Sequence, residues 1–254
     1  MTETTDPTVH ITPVRGAGRR GVDSALGERI EETLGVLRRI EAEYAPAALA
    51  SSFSAEDMVL TDLIQRHTPD IGIFTLDTGR LNEETYALQQ QVRERYGRRV
   101  RTVFPEPEDV EAFIERYGVN GFYDSIAARQ ACCHARKVAP LERALTGLSA
   151  WLTGMRREQA VTRQELPFQE HDAGHGIEKF NPLAAWREEE VWQYLRTFDV
   201  PYNALYDQGY RSIGCAPCTR PVAVGEDIRA GRWWWEDPER KECGLHTARQ
   251  RRSG

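Results

Sequence analysis

The chain has 254 residues, 40% of them hydrophobic and 28% charged, enough to bury a core as one large α/β domain or two small ones. Its formal net charge is −6, with both signs spread along the sequence, which argues against a long basic face for nucleic acid. The first 22 residues are polar with no apolar run. That excludes a signal peptide or membrane helix there and points to a cytoplasmic protein, where thiols stay reduced.

Residues 1–22 read as a loose tail, without apolar periodicity to fix them to a core. From Ser24 to Tyr44 the residues Leu26, Ile30, Leu34, Leu37 and Ile40 recur at helical spacing, predicting an amphipathic helix that packs on something. Ala47 to Ala50 is a short strand, Ser51 to Asp57 a loop, and Met58 to His67 a helix. Small hydroxyl residues before a helix can leave backbone N–H groups free for phosphate or sulfate, though they also serve as plain caps. Ile71 to Leu76, ending in Asp77-Thr78-Gly79-Arg80, predicts a second strand, Asn82 to Tyr96 a helix, and Val100 to Phe104 a third strand. This alternation predicts a parallel sheet covered by helices on both faces, with ligands at the C-terminal strand ends. Asp77 falls at such an end, as a ligand contact or as a polar turn.

Asp109 to Tyr117 reads as a short helix and Gly118 to Asp124 as a loop; a further helix starts near Pro140. Ala150 to Thr153 resembles a strand running into Gly154-Met155-Arg156-Arg157, and residues 164–176 read as a surface loop that carries His171 and His175. Trp186 to Phe198 is a helix with an acidic first turn. Arg229, Arg232 and three consecutive tryptophans, Trp233 to Trp235, follow, then Lys241-Glu242-Cys243-Gly244-Leu245-His246. Three adjacent tryptophans cannot all face one core, so some of them line a partner or ligand surface or pack as a tail.

Four of the five cysteines form two tight pairs, Cys132-Cys133 and Cys215-Ala216-Pro217-Cys218, about eighty residues apart. Two pairs can complete a four-sulfur site, and soft sulfurs favour zinc or an iron-sulfur cluster over a hard cation. Positive charge comes almost wholly from arginine. Of the three lysines, Lys137 and Lys241 each lie within four residues of a cysteine, where an ammonium balances thiolate charge.

The motifs Ser51 to Asp57, Leu76 to Leu81, the tandem Cys132-Cys133, Thr153 to Arg157, Val200 to Asn203, Gly214 to Cys218 and Glu242 to His246 together resemble the assimilatory adenylyl-sulfate reductases, in family order from about Ala48 to His246. The resemblance implies an adenine nucleotide alpha hydrolase-like α/β fold related to the ATP pyrophosphatases. It implies a 4Fe-4S cluster on Cys132, Cys133, Cys215 and Cys218, and a mobile C-terminal segment carrying a catalytic cysteine, Cys243, with Lys137 and His246 assisting. Ser52 and Ser54 would belong to an anion loop, Asp77, Gly154 and Arg156 to the substrate pocket, and Arg229 and Arg232 to the closing segment. The reaction implied is reduction of adenylyl sulfate to sulfite and AMP by thioredoxin or a similar dithiol donor, through a cysteine S-sulfonate.

On this reading residues 1–22 are a tail, 23–224 the nucleotide-binding domain with its iron-sulfur site, and 225–254 the catalytic segment; the sequence leaves open whether the chain acts alone or as a homo-oligomer. Three other readings stand beside it. A phosphoadenylyl-sulfate reductase shares the loop and the tail motif but usually lacks the paired cysteines. An ATP pyrophosphatase leaves Cys243 unexplained. A zinc-binding interaction module would be colourless, where an iron-sulfur protein is brown.

Overall fold

The computed structural model describes residues 24–159 and 163–237. The expected tail and the Lys241 to His246 motif lie outside them. Each strand is short, and the central ones are nearly all apolar. Helix α1 (Ser24–Glu43) leads to β1 (Ala47–Ala50), α2 (Ala55–His67), β2 (Gly72–Leu76), α3 (Glu83–Tyr96) and β3 (Arg101–Val103). After α4 (Pro107–Tyr117), α5 (Ile126–Cys133) and α6 (Ala139–Leu145) come β4 (Ala150–Leu152), β5 (Gln169–Asp172), β6 (Ile177–Phe180) and α7 (Glu188–Thr197). The sheet order is β3-β2-β1-β4-β6-β5, parallel except for the β5–β6 pair.

Alternation along the strands divides the core between two faces. Ala47 and Leu49 of β1, Ile73 of β2, and Ala150 and Leu152 of β4 pack with α1, α2 and α7, whereas Ala48, Phe74 and Trp151 pack with Leu141, Ala144 and Leu145 of α6. The stripe read from Leu26 to Ile40 lies on the first face; Leu37 and Ile40 are fully buried there. One buried acid ties three helices together: Asp62 of α2 accepts from Tyr96 at 2.6 Å, Tyr194 at 2.7 Å and Arg66 at 2.8 Å. Such an acid is tolerated because its oxygens are saturated by donors.

Residues 164–176 are not all loop. Gln169–Asp172 forms the antiparallel edge strand β5, held by polar pairs rather than an apolar face: Gln169 bonds Glu178, and Lys179 bonds Glu170. His171 and His175 spend their Nδ1 atoms on Glu178 and Asp172 within this hairpin. Among the described residues no helix is long and apolar enough to cross a membrane.

Candidate active site and cysteine cluster

A cavity of about 570 Å³ opens where β1, β2 and β4 end, as a parallel sheet dictates. Its walls include Ser52, Ser54, Gly154, Arg156, Arg229 and Arg232, together with Lys137. Asp77 stands at the end of β2 but does not line the cavity. Its Oδ1 accepts from the Gly79 N–H at 2.8 Å and the Tyr86 hydroxyl at 2.9 Å, which makes it the builder of its own turn.

The loop before α2 is tightly wound. Phe53 holds a positive φ of 59°, unusual for a bulky residue, and its side chain is buried in the core that keeps it there. Most donors here are not free, contrary to the expectation for small hydroxyl residues. The Ser52 N–H and hydroxyl both donate to Asp57 Oδ2 at 2.7 Å, the Phe53 N–H to Ser51 Oγ, the Ala55 N–H to the Tyr206 hydroxyl and the Asp57 N–H to Ser54 Oγ. Burial holds the Asp57 carboxyl above the usual carboxylate range, against the pull of Ser52. Arg156 is also spoken for: buried, it bonds Glu56 at 2.8 Å and Glu158 at 3.3 Å, bracing the first turn of α2 against the end of β4. Gly154 is needed at that junction, because a Cβ on it would fall 2.4 Å from Asp57 Oδ1.

Beside the cavity the four paired cysteines, all buried and none in a disulfide, ring a small hollow with Arg80, Arg129, Arg136, Lys137 and Trp233. Arg129, Cys132, Cys133, Arg136 and Lys137 recur at the spacing of one helical face, so the helix itself gathers thiols and cations. A five-residue π-helical turn, His134–Val138, joins α5 to α6 within this run. Such turns concentrate at functional sites. Cys215 arrives from the loop after residue 204, pinned by the Ala216 N–H to the Arg80 carbonyl and by Thr78 Oγ1 at 3.2 Å from its sulfur.

Charge decides the state of these thiols. Burial pushes the Cys215 thiol up, but Lys137, which bonds it, with Thr78 and Arg232, outweighs that and holds it below the usual thiol value. Burial, with the neighbouring Cys215, pushes Cys218 up to about 12, and burial also raises Cys132. A metal would offset such penalties, since a coordinated thiol is deprotonated outright. Among the described residues no three His, Cys, Asp or Glu side chains converge closely enough to hold a single ion; the sulfurs surround a shared hollow instead.

The segment after residue 224 closes this hollow. Trp233 is buried among the cysteines, with the Arg129 and Arg232 guanidinium groups each 4.7 Å from its ring. Trp235 packs against Tyr123 and Phe122, and Trp234 is 40% exposed, so the triplet does divide between inside and outside. Arg129 donates to Glu236 at 2.7 Å, both side chains being almost fully buried. Gly214 leaves room for Arg232, whose guanidinium lies 2.5 Å from where a Cβ would stand. Sequence reasoning noted Arg136 only as one of three basic groups that follow the thiols, and did not single out Arg129, although its helical phase with the cysteines was available. Arg163 in the cavity wall, bonded to Gln159, carried no motif signal outside its own position.

Comparison with known proteins gives a consistent result. Residues 46–221 match the phosphoadenosine phosphosulfate reductase domain. An adenosine 5′-phosphosulfate reductase of Allochromatium vinosum is 56% identical over 87% of this chain and 86% of its own length. Relatives with the same name from Neisseria meningitidis serogroup A (53% identical; 89% and 93% covered) and Burkholderia cepacia (50% identical; 87% and 88% covered) align comparably. Among solved structures, a phosphoadenylyl-sulfate reductase of Candida auris superposes with a TM-score of 0.65 at 27% identity, over 79% of this chain and 98% of that one. The NH3-dependent NAD synthetase of Campylobacter jejuni, at 10% identity and a TM-score of 0.51 over 74% and 78%, shares the fold. With its nucleotide-sized cavity, its parallel sheet and this match over most of its length, the chain belongs to the phosphoadenosine phosphosulfate reductase domain family.

Proposed function

We propose that the chain reduces adenylyl sulfate to sulfite and AMP, with electrons from a dithiol partner of the thioredoxin type, in the assimilation of sulfate towards cysteine. One observation carries this reading beyond the family match: Lys137 lines both the cavity and the cysteine hollow and bonds Cys215. An ammonium so placed serves an anionic substrate on one side and thiolates on the other.

The donor set suits a 4Fe-4S cluster. Four unbridged thiols surround one hollow with four cationic side chains in its wall, and a polynuclear centre lets each sulfur reach a different iron. Cys132, Cys133, Cys215 and Cys218 would hold it. When bound, the cluster supplies a compact charge that fixes the electrostatics of the site.

Lys137, Arg229 and Arg232, which line the cavity, neutralise the sulfate and phosphate oxygens. The nucleophile is Cys243, six residues beyond Asp237 and therefore within about 20 Å of it at full extension. Cys243 and His246 lie outside the described residues. The thiolate, favoured by Lys241 and His246, attacks sulfur; the new S–S bond forms as the S–O bond to AMP breaks, and AMP leaves carrying the electron pair. A partner thiolate then attacks Cys243 sulfur and sulfite departs with the S–S bonding pair. A second partner thiol resolves the mixed disulfide, so that the dithiol supplies both electrons.

Anaerobic incubation with adenylyl sulfate and no reductant should release about one AMP per site and add a sulfonate mass to the peptide holding Cys243. Cys243→Ser should bind nucleotide but form no adduct. Sulfite release by that variant at the parent rate refutes the route. Iron and acid-labile sulfide should each approach about four per chain, and stoichiometric zinc without sulfide would overturn the cluster.

A further inference from the structure

The three adjacent tryptophans do not share one environment, and the middle one has no role in the site described so far. Trp233 is 1% exposed, whereas Trp234 is turned outward at 40%. The backbone between them is strained: Trp233 holds a positive φ of 41°, which a bulky residue keeps only where its surroundings impose it. The outward ring has company. Tyr123, also 40% exposed, has its ring centroid 6.3 Å from that of Trp234, and Val119, in the loop before Tyr123, is 55% exposed.

These side chains stand on a fixed base. The Tyr123 hydroxyl donates to the Pro217 carbonyl at 2.8 Å, inside the second cysteine pair. Trp234 meets Trp235 edge to face, with centroids 4.8 Å apart, and Trp235 meets Tyr123 in the same way at 4.5 Å. Beneath them Phe122 carries the Arg80 guanidinium 5.1 Å from its ring, and Arg80 donates to the Val119 carbonyl at 2.7 Å. Rings held in place beforehand lose little freedom on contact, which makes exposed Trp and Tyr effective anchors.

Size and position decide what the patch receives. Ring side chains of this kind bury about 150–250 Å² each, so at 40% exposure Trp234 and Tyr123 offer about 120–200 Å² together. A stable dimer takes about 800 Å² from each partner, whereas redox encounters use the smallest interfaces. From Trp234 the chain runs nine residues to Cys243, so that sulfur stays within about 30 Å of the patch.

We propose that Trp234 and Tyr123, with Val119 at their edge, are the docking patch for the dithiol carrier that discharges Cys243. The proposal rests on the reduction reading above and adds the surface on which the carrier sits. The matching surface of the carrier is apolar and uncharged around its exposed thiol, as the centre of an aromatic contact requires. While docked, the carrier thiolate bonds the Cys243 sulfur as the S–S bond to the sulfonate breaks, and sulfite leaves with that electron pair.

The test compares reduced thioredoxin with dithiothreitol, a dithiol too small to need a docking surface, on the full chain loaded with adenylyl sulfate. At limiting thioredoxin, Trp234→Ser should release sulfite at least about fivefold more slowly than the parent, and Trp234→Phe, which keeps an apolar ring, should recover most of that loss. Discharge by dithiothreitol and the preceding release of AMP should match the parent in both variants. No loss with thioredoxin, or an equal loss with both reductants, overturns the proposal. A second measurement needs no variant: hydroxyl-radical labelling of Trp234 and Tyr123 in the parent should fall by at least about half when thioredoxin saturates it. Labelling that thioredoxin leaves unchanged refutes the patch. So does labelling that falls with the concentration of the chain alone, which assigns the patch to a second copy, or labelling of Trp234 no faster than that of Trp233 in the free chain, which assigns it to the chain's own C-terminal segment. If the parent forms no sulfite with either reductant, the reduction reading fails and the labelling alone judges the patch.

Discussion

Replacing Arg129 with glutamine removes the cation from a pair whose side chains are 0% and 4% exposed at an Nε–Oε1 distance of 2.7 Å. The Glu236 carboxylate is then left buried without its cation, its Oε2 already without a hydrogen-bond partner. Breaking a buried pair in this way costs about 3–5 kcal/mol, most of it the penalty of the stranded charge. The contact of Arg129 with Trp233 at 4.7 Å shares the same guanidinium, so its worth is not added separately. For a chain of this size the loss corresponds to a fall of about 6–20 °C in Tm, or about 1–1.7 M in the urea midpoint if the slope is near 3 kcal/mol per M. Urea titration followed by tryptophan fluorescence suits the case because Trp233 sits inside the affected packing. The pair Arg129→Met with Glu236→Gln removes both charges and should recover at least half of the loss. A single variant within about 0.3 M of the parent, or a double variant no better than the single, refutes the assignment of the cost to an uncompensated charge.

Three further outcomes follow from the site. Lys137→Ala should lower turnover by at least about a hundredfold while iron content stays near that of the parent, since the ammonium stabilises charge without ligating metal; unchanged turnover would make its double placement incidental. Gly154→Ala should destabilise by about 1–3 kcal/mol and weaken AMP binding, because the new Cβ must displace Asp57 and the loop it organises, and a neutral result would show that β4 yields easily. Asp57 is protonated more readily in the folded chain than in the unfolded one, so its contribution to stability is lost as pH rises through its folded value. The Tm of Asp57→Asn relative to the parent should therefore climb as pH rises above the ordinary carboxylate value. A parent that gains on the variant over that range contradicts the burial argument.

Much of the fold was legible because its signals are local. The stripe from Leu26 to Ile40, the apolar runs that became β1, β2 and β4, and the capped start of α2 each report their own environment. Strand β5 escaped because Gln169, Glu170 and Asp172 are polar, their ladder stabilised by side chains reaching to Glu178 and Lys179 across the hairpin, which composition reads as loop. The four paired cysteines do share one hollow. For the Ser51 to Asp57 loop the sequence left anion donors and plain caps both open, since nothing in it says that the Ser52 N–H turns inward to Asp57. Arg129 and Glu236 meet across 107 positions, a distance no local pattern spans. Cys243 and His246 remain outside the described residues and rest on the family resemblance.

The π-helical turn between α5 and α6 is a timing element in the chain. Each residue of an α-helix advances the side chain by about 100°, and a π turn takes up one residue more than an α turn. The cysteine-bearing face before it and the Leu141, Ala144 and Leu145 face after it are thus set to two different clocks. One looks into the hollow and the other onto the sheet. Shortening the turn by a single residue would bring them into phase, so that either the thiols or the leucines lose their target while no side chain has changed its chemistry. Substitution-tolerant positions in this stretch, such as the exposed His134, should accordingly be intolerant of deletion.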